Sequence, residues 1–184
     1  PLCTALIDGA VLLINEFNRL PVSVQNVLLP VLDESFLDIP RYGKINSHKD
    51  FIVVATQNTS DYVGVHNLSE AIRDRIEVIP IHYQSYEDEF QIVQKSCSEL
   101  FQNDDIRDQT IHRSLTITRN TRNNPKFTRG ASVRAAIAIT QLSSELQFED
   151  ACKIALLSRV ELADGNNEEW DSAFADLDKK KEIR

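Results

Sequence analysis

Two short apolar runs, each ending abruptly in polar residues, set the pattern of this chain. The first is Ala10-Val11-Leu12-Leu13-Ile14, followed by Asn15-Glu16-Phe17-Asn18-Arg19. The second is Phe51-Ile52-Val53-Val54-Ala55, followed by Thr56-Gln57-Asn58. Continuous apolar runs of this length are what strands buried in a parallel sheet require. A third strand is expected over Glu77–Ile81, next to the other two. Between the first two, residues 22–34 place Val24, Val27, Leu28, Val31 and Leu32 on one helical face, with Pro30 kinking or shortening the helix. Residues 37–39 and 44–46 alternate around Pro40-Arg41-Tyr42-Gly43, which predicts a small hairpin turned at Gly43. A short helical stretch is expected over Leu68–Ile76. After His82 the period becomes helical, over Tyr86–Phe101, Ile106–Ile117, Val133–Leu146 and Phe148–Val160. Thr118–Lys126 reads as a polar loop, and Ala163–Asn167 as a linker. Glu168–Arg184 reads as a charged tail around Trp170 and Phe174.

The chemistry sits where the strands end. In open α/β sheets, ligands bind outside the carboxyl ends of the strands. Asn15 and Glu16 therefore project toward a site, in the arrangement by which nucleotide hydrolases hold Mg²⁺ and polarise a water. Downstream, Ser132 is placed to cap a helix that carries Arg134 in its first turn. A cation gains nothing from the positive end of a helix dipole, so Arg134 suggests an anion to hold. Taken singly, each motif is also compatible with an ordinary strand end or a solvated arginine. The basic residues Arg119, Arg122, Lys126 and Arg129 either decorate a solvated loop or face phosphates or an acidic partner.

Taken in order, these segments resemble the AAA+ ATPases, and among them the MoxR-like branch. Val11–Arg19 is similar to the family's Walker B strand with its following Asn-Arg, and Pro1-Leu2 and Ala5-Leu6 to the approach to it. Ala55-Thr56-Gln57-Asn58 is similar to sensor 1, Leu68–Ile76 to the loop and helix of the arginine finger, and Gly130–Ala135 to sensor 2. The resemblance covers residues 1 to about 162. It implies an α/β fold: a partial AAA+ core with a parallel sheet over residues 1–82, an all-α lid over 83–162, and the charged tail over 163–184. It implies ATP and Mg²⁺ as cofactors, with Glu16, Asn58, Arg75 and Arg134 catalytic. Asn15, Glu16, Asn58 and Arg134 would bind the nucleotide, with Asn15 weakly on Mg²⁺ through water. Arg73 and Arg75, on one helix, would point roughly 200° apart, so one alone reaches a neighbouring subunit. Arg75 matches the family's Asp-Arg-hydrophobic pattern better. A finger supplied in trans implies a ring, six subunits being usual, and a protein client that the ring remodels or matures. In several relatives the partner contains a von Willebrand A-type domain. The hairpin either points toward the pore of such a ring or lies on the surface.

Two departures bear on that expectation. The five glycines, Gly9, Gly43, Gly64, Gly130 and Gly165, form no G-x-x-x-x-G-K-[ST] phosphate loop. The family places that loop upstream of Walker B, so the expectation is a C-terminal piece of a longer protein, inactive by itself. Asn15 stands where the family usually has aspartate, and an amide is a weaker ligand for a hard cation. These two points support an alternative, a non-catalytic adaptor or ring-interaction module derived from a degenerate ATPase. The net charge of −8 over 184 residues argues against a nucleic-acid binder. Cys3, Cys97 and Cys152 show no metal-ligand spacing, and three thiols without a secretion signal fit a cytoplasmic location. No apolar stretch approaches the ~20 residues that span a membrane.

Overall fold

The computed structural model describes residues 1–57, 68–163 and 170–177. The chain forms two units, Pro1–Pro80 and Ile81–Arg184. Asn58 and the loop to Asn67, most of the expected linker, and residues 178–184 lie outside the described residues.

In the first unit, helix α1 (Leu2–Asp8) ends at Gly9. The left-handed φ of 67° there and the close His48 ring leave no room for a Cβ. Strand β1 (Val11–Ile14) comes next. The expected helix over 22–34 is broken into α2 (Val22–Gln25), a 3-10 turn (Asn26–Leu28) and α3 (Leu29–Glu34). Pro30 falls in the first turn of α3, where its missing N–H costs nothing. The hairpin is β2 (Phe36–Ile39) against β3 (Gly43–Asn46), with Leu37 opposite Ile45. Arg41 (φ 69°) and Gly43 (φ 103°) make its turn. Strand β4 (Ile52–Ala55) pairs parallel with β1, Val11 beside Ile52 and Ile14 beside Ala55. Helix α4 spans only Glu70–Arg73, capped by the Ser69 hydroxyl.

Two expectations about this sheet are corrected. Residues 77–81 form no strand; a strand exists by its ladder, and no described segment pairs with them. Val78, Ile79 and Ile81 are exposed instead. Strands β1 and β4 are also not buried on both faces. Val11, Leu13, Ile52 and Val54 share one face and are all exposed, because no described residue covers it. The rest of the unit packs in two small clusters. One joins Phe17, Leu28, Leu68 and Ile72; the other joins Leu6, Val31 and Leu37.

The second unit is predominantly helical. Helix α5 (Tyr86–Ser96) is capped by Ser85, whose hydroxyl accepts from the Asp88 amide. Helix α6 (Asp104–Asn123) is capped by Asn103, whose side chain accepts from the amides of Asp105 and Ile106. Then come β5 (Phe127–Arg129), α7 (Val133–Leu142), α8 (Phe148–Leu157), β6 (Glu161–Leu162) and α9 (Trp170–Leu177). Strands β5 and β6 form a small antiparallel clasp that the hydrophobic pattern does not announce. Helix α7 is the centre. Ala135 and Ile139 face Ile117, Cys152 and Leu156, while Ala136 packs with Val93, Ile111 and Leu115.

Thr118–Asn123 is helical, not a loop, and this is a further correction. Most of the polar residues there turn inward. Thr118 and Thr121 are buried, and Arg119 and Arg122 serve a buried carboxylate. The stretch read as a charged tail contributes α9, whose Ala173, Phe174 and Leu177 join the same core as α7 and α8. The three cysteines are free thiols, and burial pushes the Cys97 thiol up. No helix among the described residues is long and apolar enough to cross a membrane.

Candidate functional site

Strands β1 and β4 end level, Ile14 beside Ala55, and the first residue past β4 shapes the turn that leaves β1. The Thr56 amide donates to the Ile14 carbonyl at 2.9 Å, and the Phe17 amide donates to the Thr56 carbonyl at 2.8 Å. The Glu16 amide donates to the Thr56 hydroxyl at 3.0 Å. These three bonds hold Glu16 at φ 53°, ψ 46°, a left-handed conformation that a non-glycine residue seldom adopts. Phe17 turns inward and is buried, so Glu16 turns outward. Its side chain is half exposed and pairs with the Arg19 Nε at 3.1 Å. Asn15, next to it, is exposed as well. An amide and a carboxylate thus stand at the carboxyl end of a parallel strand pair, on a strained turn.

The other expected residues are distributed. Asn58 is outside the described residues. Helix α4 stops at Arg73, so the helical spacing assumed for Arg73 and Arg75 does not apply; Arg75 lies in a turn beyond it. The Arg75 Nε donates to Asp33 on α3, and its Nη1 to the Ala71 carbonyl at 2.6 Å. Its hydrogen bond to the Asp33 carboxylate holds the Arg75 guanidinium above its usual pKa. Arg73 is exposed. Arg134 is the second residue of α7, in the other unit, and is exposed. Ser132 is the N-cap by position, but its hydroxyl makes no capping bond.

The geometry therefore joins Glu16 to Thr56, with Asn15 next to Glu16 in the chain, and ties Arg75 to α3. Sequence reasoning missed two of these roles. Thr56 was visible as a polar residue ending a strand, the one local signal available. Asp33 lies 42 residues from Arg75 and carries no local signal. Among the described residues, no three His, Cys, Asp or Glu side chains group as a metal cage.

An acidic turn at the carboxyl end of parallel strands lies where ligands bind in open α/β sheets, and comparison with known proteins gives the class of the fold. Residues 1–76 match the AAA domain of the dynein-related subfamily. The chain is related to MoxR-like AAA+ proteins. It is 30% identical to the gas vesicle ATPase GvpN1 of Halobacterium salinarum, over 97% of this chain and 53% of that protein. It is 30% identical to the gas vesicle ATPase GvpN of Haloferax mediterranei, over 87% of this chain and 47% of that protein. It is 40% identical to the chaperone MoxR1 of Mycobacterium tuberculosis, over 45% of this chain and 22% of that protein. The chain spans about half the length of the two gas vesicle ATPases.

Proposed function

We propose that this chain supplies the hydrolytic turn and the lid of a cytoplasmic, ring-forming AAA+ ATPase that couples ATP hydrolysis to remodelling of a protein client. The observation that carries the proposal is Glu16, held outward in a left-handed turn by Thr56 at the end of β1. A carboxylate so placed accepts a proton from, or orients, a water attacking the terminal phosphate of ATP. Its pairing with Arg19 keeps the carboxylate in one direction without burying it. Asn58 is assigned to bond the same phosphate or the water.

The donors fit Mg²⁺, which keeps several waters and takes only one or two protein oxygens besides the substrate phosphates. Asn15 would hold it weakly, through water, and Glu16 beside it would act on the attacking water. When bound, the ion neutralises charge on the phosphates. Arg134, presented at the start of α7, is assigned to contact the terminal phosphate from the lid. Arg75 is assigned as the finger, acting on the nucleotide of a neighbouring subunit in a ring of six. The names of the relatives, gas vesicle ATPases and a chaperone, accord with an ATPase whose work is done on other proteins. A partner with a von Willebrand A-type domain is one candidate client.

A second reading has specific support. Asn15 brings no negative charge to the metal, and Arg75 is engaged inside its own subunit. Both suit a non-catalytic adaptor that assembles but does not hydrolyse. One comparison separates the two: ATP turnover and ATP binding of the full-length protein and its Glu16→Gln variant. The ATPase reading expects turnover to fall at least about 100-fold with binding kept. Absence of turnover in the unaltered protein, with ATP bound, establishes the adaptor.

A further inference from the structure

The carboxylate of Glu89 on α5 is wholly buried and receives two arginines from α6. Arg122 Nη2 donates to Oε1 at 2.7 Å and Nη1 to Oε2 at 3.2 Å, while Arg119 Nη1 donates to Oε2 at 2.7 Å. The Arg122 side chain is itself only 8% exposed. One carboxylate and one arginine would suffice to satisfy a buried charge, and a buried ion pair adds little net stability. What distinguishes this cluster is what the arginines touch on their far sides.

Arg122 Nε donates to the Ala131 carbonyl at 2.8 Å, within the turn between β5 and α7. That turn presents Arg134. The Ala131 amide donates to the Thr121 hydroxyl at 2.8 Å, so α6 holds both polar groups of this one peptide residue. Gly130 lies so close to Arg122 that a Cβ there would meet its Cα at 2.7 Å. In the other direction, the Arg122 guanidinium stacks on the Tyr83 ring, 3.9 Å from its centroid. Tyr83 belongs to the segment that enters the second unit, three residues after Pro80. Its hydroxyl reaches the Gly130 carbonyl at 3.5 Å. Arg119 donates to the carbonyl of the next residue, Gln84, at 3.4 Å. Entry segment, buried carboxylate and turn are thus joined through Arg122.

We propose that Arg122 is a positioning residue for Arg134, transmitting displacement of the entry segment at Tyr83 to the turn at Gly130–Ser132. This rests on the reading of Arg134 as the residue that senses nucleotide. Glu89 orients the guanidinium so that its edge faces Ala131 and its face covers Tyr83. Only a planar fork does both, because an ammonium has neither the fork nor a stacking face. A pull on Tyr83 therefore moves the turn, and a nucleotide drawn onto Arg134 pulls the entry segment in return, as linkage requires.

The test uses the full-length protein with Arg122→Lys, Tyr83→Leu, Tyr83→Phe and Arg134→Ala. Amide exchange is followed in Gly130–Ala135 and, as a control, in α8. The affinity ratio of ATP to ADP is measured by titration with fluorescent analogues of each. Arg122→Lys and Tyr83→Leu should speed exchange in the turn, leave α8 unchanged and lower the ratio about fivefold or more. Tyr83→Phe should behave as the unaltered protein, since the stacking ring is kept and the hydroxyl bond is at the limit of length. If Arg122→Lys also loosens α8, Tyr83→Leu decides, because it leaves the pair with Glu89 intact. An unchanged turn and ratio in Tyr83→Leu, with the ratio lowered by Arg134→Ala, overturns the proposal and leaves the reading of Arg134 standing. An unchanged ratio in Arg134→Ala overturns both.

Discussion

Asn15 and Glu16 are adjacent and exposed at the end of β1, and they differ by one charge. An amide oxygen still accepts a hydrogen bond from metal-bound water, but it does not attract the cation. Hydrolysis should therefore need raised Mg²⁺, and Asn15→Asp should lower that requirement and raise turnover. The introduced carboxylate would repel Glu16 in metal-free protein, so the variant should unfold somewhat more easily without Mg²⁺. Turnover of the full-length protein against Mg²⁺ concentration checks this, and superimposable curves would mean that Asn15 does not face the metal. A second residue acts by having no side chain. Gly130→Ala would drive a Cβ into the Arg122 backbone and stem. Overpacking of this kind costs about 1–3 kcal/mol, and chemical denaturation should report a loss of that size. An unchanged midpoint would show that the turn moves aside freely.

At the scale of elements, local signals carried most of the fold and little of the site's wiring. The runs ending at Ile14 and Ala55 name their strands because a parallel strand is built from consecutive apolar residues. Pro30 named a break because its ring is disfavoured in a helix interior, although its place in the first turn of α3 needed the structure. Residues 77–81 look like the same kind of run, yet whether such a run pairs depends on a neighbour that periodicity cannot reveal. The C-terminal turns of α6 were misread because Thr118, Arg119, Thr121 and Arg122 are polar. The partners of Arg119, Thr121 and Arg122, namely Glu89 and Ala131, come from other elements. The bond from Arg75 to Asp33, between the turn after α4 and α3, is hidden for the same reason. It is a partly exposed pair, so Asp33→Ala should barely move the denaturation midpoint. In the full-length protein, Asp33→Ala should retain hydrolysis while Arg75→Ala should lose it. Equal loss in both would show that Arg75 acts only through Asp33.

The whole molecule is two units, each with its own apolar cores, and the candidate groups are divided between them. Glu16 and Arg75 belong to the first, Arg134 to the second. The proposed ring adds a further division, between subunits. The proposed mechanism turns on that last division: Glu16 works in its own subunit and Arg75 in the next. Mixing two inactive full-length variants, Glu16→Gln and Arg75→Ala, tests it most directly. In mixed rings, some interfaces combine an intact Glu16 with an intact Arg75 from the neighbour, and ATP turnover should partly return. If mixed rings are seen to assemble and turnover stays absent, Arg75 does not act across a subunit interface, and the proposed mechanism is contradicted.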